Sequence, residues 1–398
     1  MRVALIQPSS PFLIDAAVHG PLGLWYLGAA LRRAGHEPVY CDRGLGDALP
    51  DDCDVWALTG TTPQRDDMAR VIRAAGSTPV IVGGAHASAD PADVAMNMAA
   101  DLVVVVGEGE QILPEILAHP LGDMVIAHAP RIRDLDALPF PDRSQAGRYH
   151  YTLRDQYGVE HEAATAITSR GCPHGCTFCS GGVWRRKYTA RSAENVIAEM
   201  WTLRDRYTAV HFYDDSLATD RRRLHSLCDG LRETELVWRC FVRADQVDAG
   251  TLRHMAASGC VEIGLGVESG SDDVLQRIHK GESVAQQAAC IQWAHDAGVR
   301  VKAFLIVGLP GESAHTIAET ETFLNANRPD DIDVSVLQLY PGAPLYDLPT
   351  GLTVEGAGGW YKGKPGEYSC AHSTEWLRAD EICDARDYLE AAYKGVTA

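Results

Sequence analysis

Cys172, Cys176 and Cys179 stand at C-x3-C-x2-C spacing in the run Ser169-Arg170-Gly171-Cys172-Pro173-His174-Gly175-Cys176-Thr177-Phe178-Cys179-Ser180. Thiolates are soft ligands suited to iron–sulfur clusters or zinc. Gly171, Pro173 and Gly175 favour a curling loop over a regular helix, so the three side chains can face one centre. A four-iron cluster has four corners, and three thiolates leave one iron open to another group, much as a catalytic zinc keeps an open position. A structural zinc site would need a fourth ligand, for which His174 stands between the cysteines. Unrelated buried cysteines are the remaining alternative, and the Gly- and Pro-rich spacing argues against it.

The elements that hold this loop are legible as apolar runs. Residues 166–168 read as the strand that delivers it. Further strands are predicted at 210–213, 236–242, 261–267, 300–307 and 332–339, with helices at 194–204, 221–231, 249–257, 272–278, 285–297 and 314–325. Six strand–helix units predict a partial (β/α)6 barrel of TIM type, whose chemistry lies at the carboxyl ends of its strands.

The first 125 residues also alternate strand and helix, which makes the chain α/β throughout. Strands at 3–6, 39–40, 55–58, 80–82 and 102–106, with helices at 21–33, 64–75 and 110–117, predict a doubly wound Rossmann-like parallel sheet. The loops at its carboxyl edge include Thr59-Gly60-Thr61-Thr62, Gly83-Gly84-Ala85-His86 and Gly107-Glu108-Gly109-Glu110. Glycine there lets a ligand approach the backbone, or simply makes a tight turn. The predicted organisation is a sheet domain at 1–125, a linker at 126–160, the barrel at 161–345 and a short C-terminal helical tail at 346–398 that covers the active site.

The charge balance narrows the function. Of 398 residues, 36 are basic and 54 acidic, a net charge of -18, which disfavours nucleic acid or an anionic membrane as partner. The basic run 185–187 beside the cysteines is too short to reverse this. No apolar run is long enough for a membrane span, and the N-terminus lacks a signal-peptide pattern, so a cytoplasmic protein is expected. Eleven cysteines in such a chain point to metal binding or burial rather than disulfides.

The cysteine spacing, with aromatic Phe178 before the last cysteine, resembles that of the radical S-adenosylmethionine (radical SAM) enzymes. The resemblance implies that Cys172, Cys176 and Cys179 hold a [4Fe–4S] cluster. Its open iron would take SAM, and reductive cleavage would give a 5′-deoxyadenosyl radical that abstracts a substrate hydrogen. It further implies SAM contacts by Phe178, Asp214, Asp215, Arg243, Glu268, Ser269, Gly308 and Gly311. Asp214 and Asp215 would accept from the SAM ammonium, or else form a solvated turn or helix cap. Arg243 would grip the SAM carboxylate, or else pair with Asp245. Glu268 and Ser269 would face the ribose, and the loop of Gly308 and Gly311 the adenine.

The whole chain resembles the subgroup with an N-terminal cobalamin-binding domain, through residues 20–28, 82–86 and 107–110. This implies cobalamin contacts at Leu22, Gly23, Thr61, Gly83, Gly84, His86, Gly107 and Glu108, with a capping or turn role the alternative for His86. The D-x-H-x-x-G motif, whose His ligates cobalt in many cobalamin proteins, is absent. The expected activity is methyl transfer from methylcobalamin to a carbon of a small natural-product-type substrate. An external one-electron reductant such as flavodoxin or ferredoxin would serve it. The alternative is a non-methylating radical epimerase, dehydratase, dehydrogenase or rearrangement enzyme, for which Cys370 in the tail is a candidate hydrogen donor.

Overall fold

Short runs such as Val3-Ala4-Leu5-Ile6 and Val103-Val104-Val105 are buried on both sides, as strands of a parallel sheet covered by helices on both faces must be. The computed structural model describes residues 1–98, 102–120, 125–155, 157–184, 186–355, 360–363 and 367–394. The chain forms two units: Met1–Tyr151 with Ser180–Ala190 and Tyr340–Gly342, and Thr152–Cys179 with Arg191–Leu339 and Ala343–Ala398.

In the first unit, six parallel strands run in the order Glu37–Asp42, Arg2–Gln7, Val55–Thr59, Val80–Gly83, Leu102–Val106 and Val125–His128. One face packs Leu24 and Leu31 against Val3, Leu5, Val55 and Ile81. The other packs Met68 and Ile72 against Ala4, Ile6, Leu58 and Val82. The doubly wound reading thus stands, with one strand more than the five expected. Val125–His128 falls inside the stretch read as linker. It is an edge strand whose Val125 and Ile126 are exposed, so no buried run announces it.

The rest of the connector is tied to the same unit by charge. The Ile132 N–H donates to Glu108 at 2.7 Å, Arg32 pairs with Asp142 at 2.7 Å, and Arg148 pairs with Asp47 at 2.7 Å. Of the basic run 185–187, Arg185 lies outside the described residues, and the Lys187 carbonyl accepts from Arg131 at 3.0 Å.

The second unit holds a seven-stranded sheet in the order Asp331–Val336, Arg300–Val307, Cys260–Glu268, Val237–Val242, Ala209–Phe212, Glu160–Ala166 and Thr152–Arg154. The first six are mutually parallel, and Thr152–Arg154 adds an antiparallel edge. This is the expected half-barrel. The first strand is a correction: it runs over Glu160–Ala166 rather than 166–168, because Thr168 and Ser169 leave the sheet to bond Asp214.

Along Arg300–Val307, Val301, Ala303, Leu305 and Val307 enter the helix-covered core while Lys302, Phe304 and Ile306 face the other way. Helices start from side-chain caps at Ser192, Asp220, Asp248, Ser283 and Ser313, which satisfy the first free N–H groups and fix where each strand-end loop stops. The tail adds the hairpin Leu352–Val354 with His372–Thr374 and the helix Ala379–Tyr393. Ile382 and Leu389 of that helix complete the barrel core, and Arg386 donates to the Val334 carbonyl at 2.9 Å. Among the described residues no helix is long and apolar enough to cross a membrane.

Trp238 is wholly buried, packs against Phe212 at 5.8 Å and donates to the Ser258 carbonyl at 2.8 Å. Trp238→Ala is expected to lower unfolding free energy by about 3–5 kcal/mol, read by urea denaturation.

Candidate cofactor site at the carboxyl ends of the barrel strands

The cysteine loop is anchored from both sides. Thr177 donates its N–H to the Ile278 carbonyl at 2.9 Å and accepts from the Leu345 N–H at 3.0 Å. Phe178 packs with Leu275, Ile278, Leu309, Leu337 and Leu345, so it serves as the loop's apolar peg. His174 Nε2 lies 3.0 Å from the Gln246 amide nitrogen. Burial pushes the Cys172 thiol up. Cys176 and Cys172 are half-buried and Cys179 is exposed. Among the described residues no three His, Cys, Asp or Glu side chains are placed to hold a single metal ion. A cluster asks for something else, since each thiolate binds its own iron and the sulfurs need not converge on one atom. Three thiols on one loop are the soft donor set that an iron–sulfur cluster takes.

Of the SAM contacts that the resemblance implied, the strand ends leave some exposed and enclose others. Asp215 is exposed. Asp214 has no exposed surface and accepts from the Thr168 N–H at 2.8 Å and from the Thr168 and Ser169 hydroxyls. Its carboxylate is consumed in joining the first two strand ends. Arg243 is buried and forked onto Asp245, with Nε and Nη2 each 3.0 Å from a carboxylate oxygen. The ion pair with Asp245 that the sequence offered beside a SAM contact is thus present.

Glu268 has a left-handed φ of 62°, and its carboxylate meets the buried Lys280 ammonium at 2.9 Å. Lys280 also stands 3.8 Å from Glu282. Burial alone would lower the Lys280 pKa, but Glu268 and Glu282 outweigh it and hold the ammonium charged. Ser269 is buried and caps the following turn, accepting from the Ser271 N–H at 3.2 Å.

At the fifth strand end, Gly308 has φ 90°, and a Cβ there would meet His372 Nε2 at 3.0 Å. His372 bonds the Gly308 carbonyl at 2.9 Å. Gly311 is crowded by Arg277 in the same way. The tail therefore backs this loop. Cys370 Sγ lies 3.3 Å from His372 Nδ1, and burial pushes its thiol up to about 11, which keeps it protonated.

In the first unit, Gly23 is the second residue of the helix Leu22–Arg33, and a Cβ on it would meet nothing within 4 Å. Leu22 is half-buried beside Trp25. Thr61 is exposed and caps the turn Thr62–Gln64. Gly83 caps the helix Gly84–Ala89, where the sequence suggested only a loop. Gly84 has φ 90°, and a Cβ there would strike Thr59 Oγ1 at 2.2 Å.

His86 turns inward, as a capping or turn role would have it. It has no exposed surface and lies between Thr62 Oγ1 at 3.3 Å and Asp93 at 3.0 Å. Glu108 is likewise buried, held 3.1 Å from Arg131. Gly107 donates its N–H to Ser88 at 3.1 Å.

Residues 166–324 match the radical SAM superfamily, and residues 16–117 match the B12 binding domain. The chain belongs to the radical SAM superfamily and carries a B12-binding domain. The superfamily implies a [4Fe–4S] cluster and SAM, and the B12-binding domain implies cobalamin. The chain is similar to the uncharacterized methyltransferase PH0819 of Pyrococcus horikoshii, at 25% identity over 87% of this chain and 83% of that one. It is also similar to the bacteriochlorophyllide d C-12(1)-methyltransferase of Chlorobaculum tepidum, at 24% identity over 86% of this chain and 77% of that one. In fold it resembles the radical S-adenosylmethionine methyltransferase TsrM from Kitasatospora setae, with a TM-score of 0.72 at 17% identity, covering 90% of this chain and 81% of that one.

Sequence reasoning passed over Lys280 and Glu282. Their signal was present in Lys280-Gly281-Glu282, a charged pair in a predicted loop, but charged loops ordinarily lie in solvent.

Glu312 was passed over in the same way. It is fully buried, and its carboxyl, which receives the Gly308 N–H, is pushed up to about 8 by burial. In the unfolded chain it titrates near 4.5. Between these values the folded state holds the extra proton, so this group's contribution to stability falls as pH rises. Glu312→Gln, which mimics the protonated form, is expected to flatten that decline between pH 5 and 8 in urea melts. Equal slopes in both proteins would refute the assignment.

Proposed function

We propose that this chain is a cobalamin-dependent radical SAM methyltransferase acting on a carbon of a small, natural-product-type molecule. One observation carries the reading: a three-thiol loop at the strand ends of a parallel half-barrel shares its chain with a B12 binding domain. The named methyltransferases that align over 86–87% of the chain support it. When bound, the cluster and SAM supply a hydrogen-abstracting organic radical and cobalamin supplies the methyl group.

The protein's part is to bind, orient and exclude water. Cys172, Cys176 and Cys179 hold the cluster, and exposed Asp215 offers a carboxylate to an ammonium. Gly308 and Gly311 bring bare backbone to the fifth strand end, backed by His372 and Arg277, and Gly23 and Thr61 lie exposed on the sheet unit. An external one-electron reductant, of the flavodoxin or ferredoxin kind, supplies the electron. The net charge of -18 favours a small substrate over RNA.

The test is anaerobic reconstitution with iron, sulfide and hydroxocobalamin, followed by reductant, SAM and candidate substrates. The expected products are 5′-deoxyadenosine, S-adenosylhomocysteine and a substrate one CH2 heavier, with Cys176→Ala losing both cluster absorbance and 5′-deoxyadenosine. A protein that retains the cluster but takes up no cobalamin sinks the reading. 5′-Deoxyadenosine without S-adenosylhomocysteine would favour a non-methylating radical reaction.

A further inference from the structure

Arg243 is built to do something other than grip a ligand. It is 6% exposed. Its Nε and Nη2 edge, the edge that would fork onto a carboxylate, is already filled by Asp245 at 3.0 Å on both oxygens. Nη2 also donates to the Lys280 carbonyl at 2.7 Å and lies 3.4 Å from Glu282. The nitrogen left over, Nη1, points to the Cys176 sulfur at 3.8 Å. A guanidinium is always charged, and clamped in this way it cannot swing aside.

Reducing an iron–sulfur cluster adds a negative charge, and cluster potentials respond to net charge and to hydrogen bonds on the sulfurs. A cation this close and this enclosed is weakly screened. We propose that Arg243 is a positioning residue for the cluster, holding a fixed positive charge and an N–H donor on the Cys176 sulfur and so raising the potential at which the cluster accepts its electron. The step is a one-electron transfer from the external reductant to the cluster, with no bond made or broken in the protein. The inference rests on the reading of Cys176 as a cluster ligand.

The experiment is an EPR-monitored redox titration of the reconstituted holoprotein without SAM, on wild type, Arg243→Gln, Arg243→Lys and Asp245→Asn, with iron and sulfide content measured on each. Arg243→Gln is expected to lower the reduced-to-oxidised ratio at fixed potential about tenfold, which is about 59 mV for one electron. Arg243→Lys should fall between it and wild type. Asp245→Asn removes a negative charge while leaving Arg243 in place, so it should move the midpoint the opposite way.

Unmoved midpoints in both Arg243→Gln and Asp245→Asn overturn the proposal. So does weakened SAM binding by Arg243→Gln with an unmoved SAM-free midpoint, which would return Arg243 to the role of a SAM ligand. If Arg243→Gln cannot hold a cluster, Asp245→Asn decides alone. A Cys176→Ala protein that keeps its full cluster would instead refute the ligand reading, and methylation is not measured, so its absence leaves this test intact.

Discussion

A buried ammonium has to find counter-charges, and Lys280, 4% exposed, is the cation on which the barrel's functional end is organised. Leaving a buried charge unpaired costs about 3–5 kcal/mol. Lys280 meets Glu268 at 2.9 Å and Glu282 at 3.8 Å. Glu282 is shared with Arg243, and Arg243 reaches Cys176. One electrostatic requirement thereby joins the third and fourth strand ends, the loop between the helices Asp272–Arg277 and Val284–Asp296, and the cysteine loop. Two cations are interleaved with three carboxylates, Asp245 included, though Glu282 meets them only at ion-pair distance, 3.4 Å from Arg243 and 3.8 Å from Lys280.

The same economy appears at the other strand ends. Asp214 spends its oxygens on Thr168 and Ser169, and Gly308 gives its N–H to Glu312 and its carbonyl to His372. In a parallel barrel every strand finishes on one side, so free backbone groups and charged loops crowd together there. They must first satisfy one another before any face is left for a cofactor. The sheet unit repeats the pattern, with His86 turned inward between Thr62 and Asp93 and Glu108 pinning the connector at Ile132.

Much of this architecture was legible in the linear chain. Alternating apolar runs located most strands of both sheets, but misplaced Glu160–Ala166 and missed the edges Val125–His128 and Thr152–Arg154. Edge strands bury little and so carry little pattern. The tail helix Ala379–Tyr393 was legible as a helix, though not as the element that closes the barrel core, because that depends on which face finds a partner.

The cysteine motif needed no structure to be read, since three soft ligands at fixed short spacing on one loop are a local property of the chain. The order of strands and helices and the acidic charge are likewise written in composition and period. The roles of single charged residues are not. Arg243, Asp214, His86 and Glu108 all lie at the strand ends where a ligand contact was expected, yet folding gives each of them a partner distant in sequence: Cys176 for Arg243, Thr168 for Asp214, Thr62 for His86 and Ile132 for Glu108. Whether a charge faces a ligand or another part of its own chain is settled by desolvation, which acts only once distant segments have come together and water has been expelled from between them.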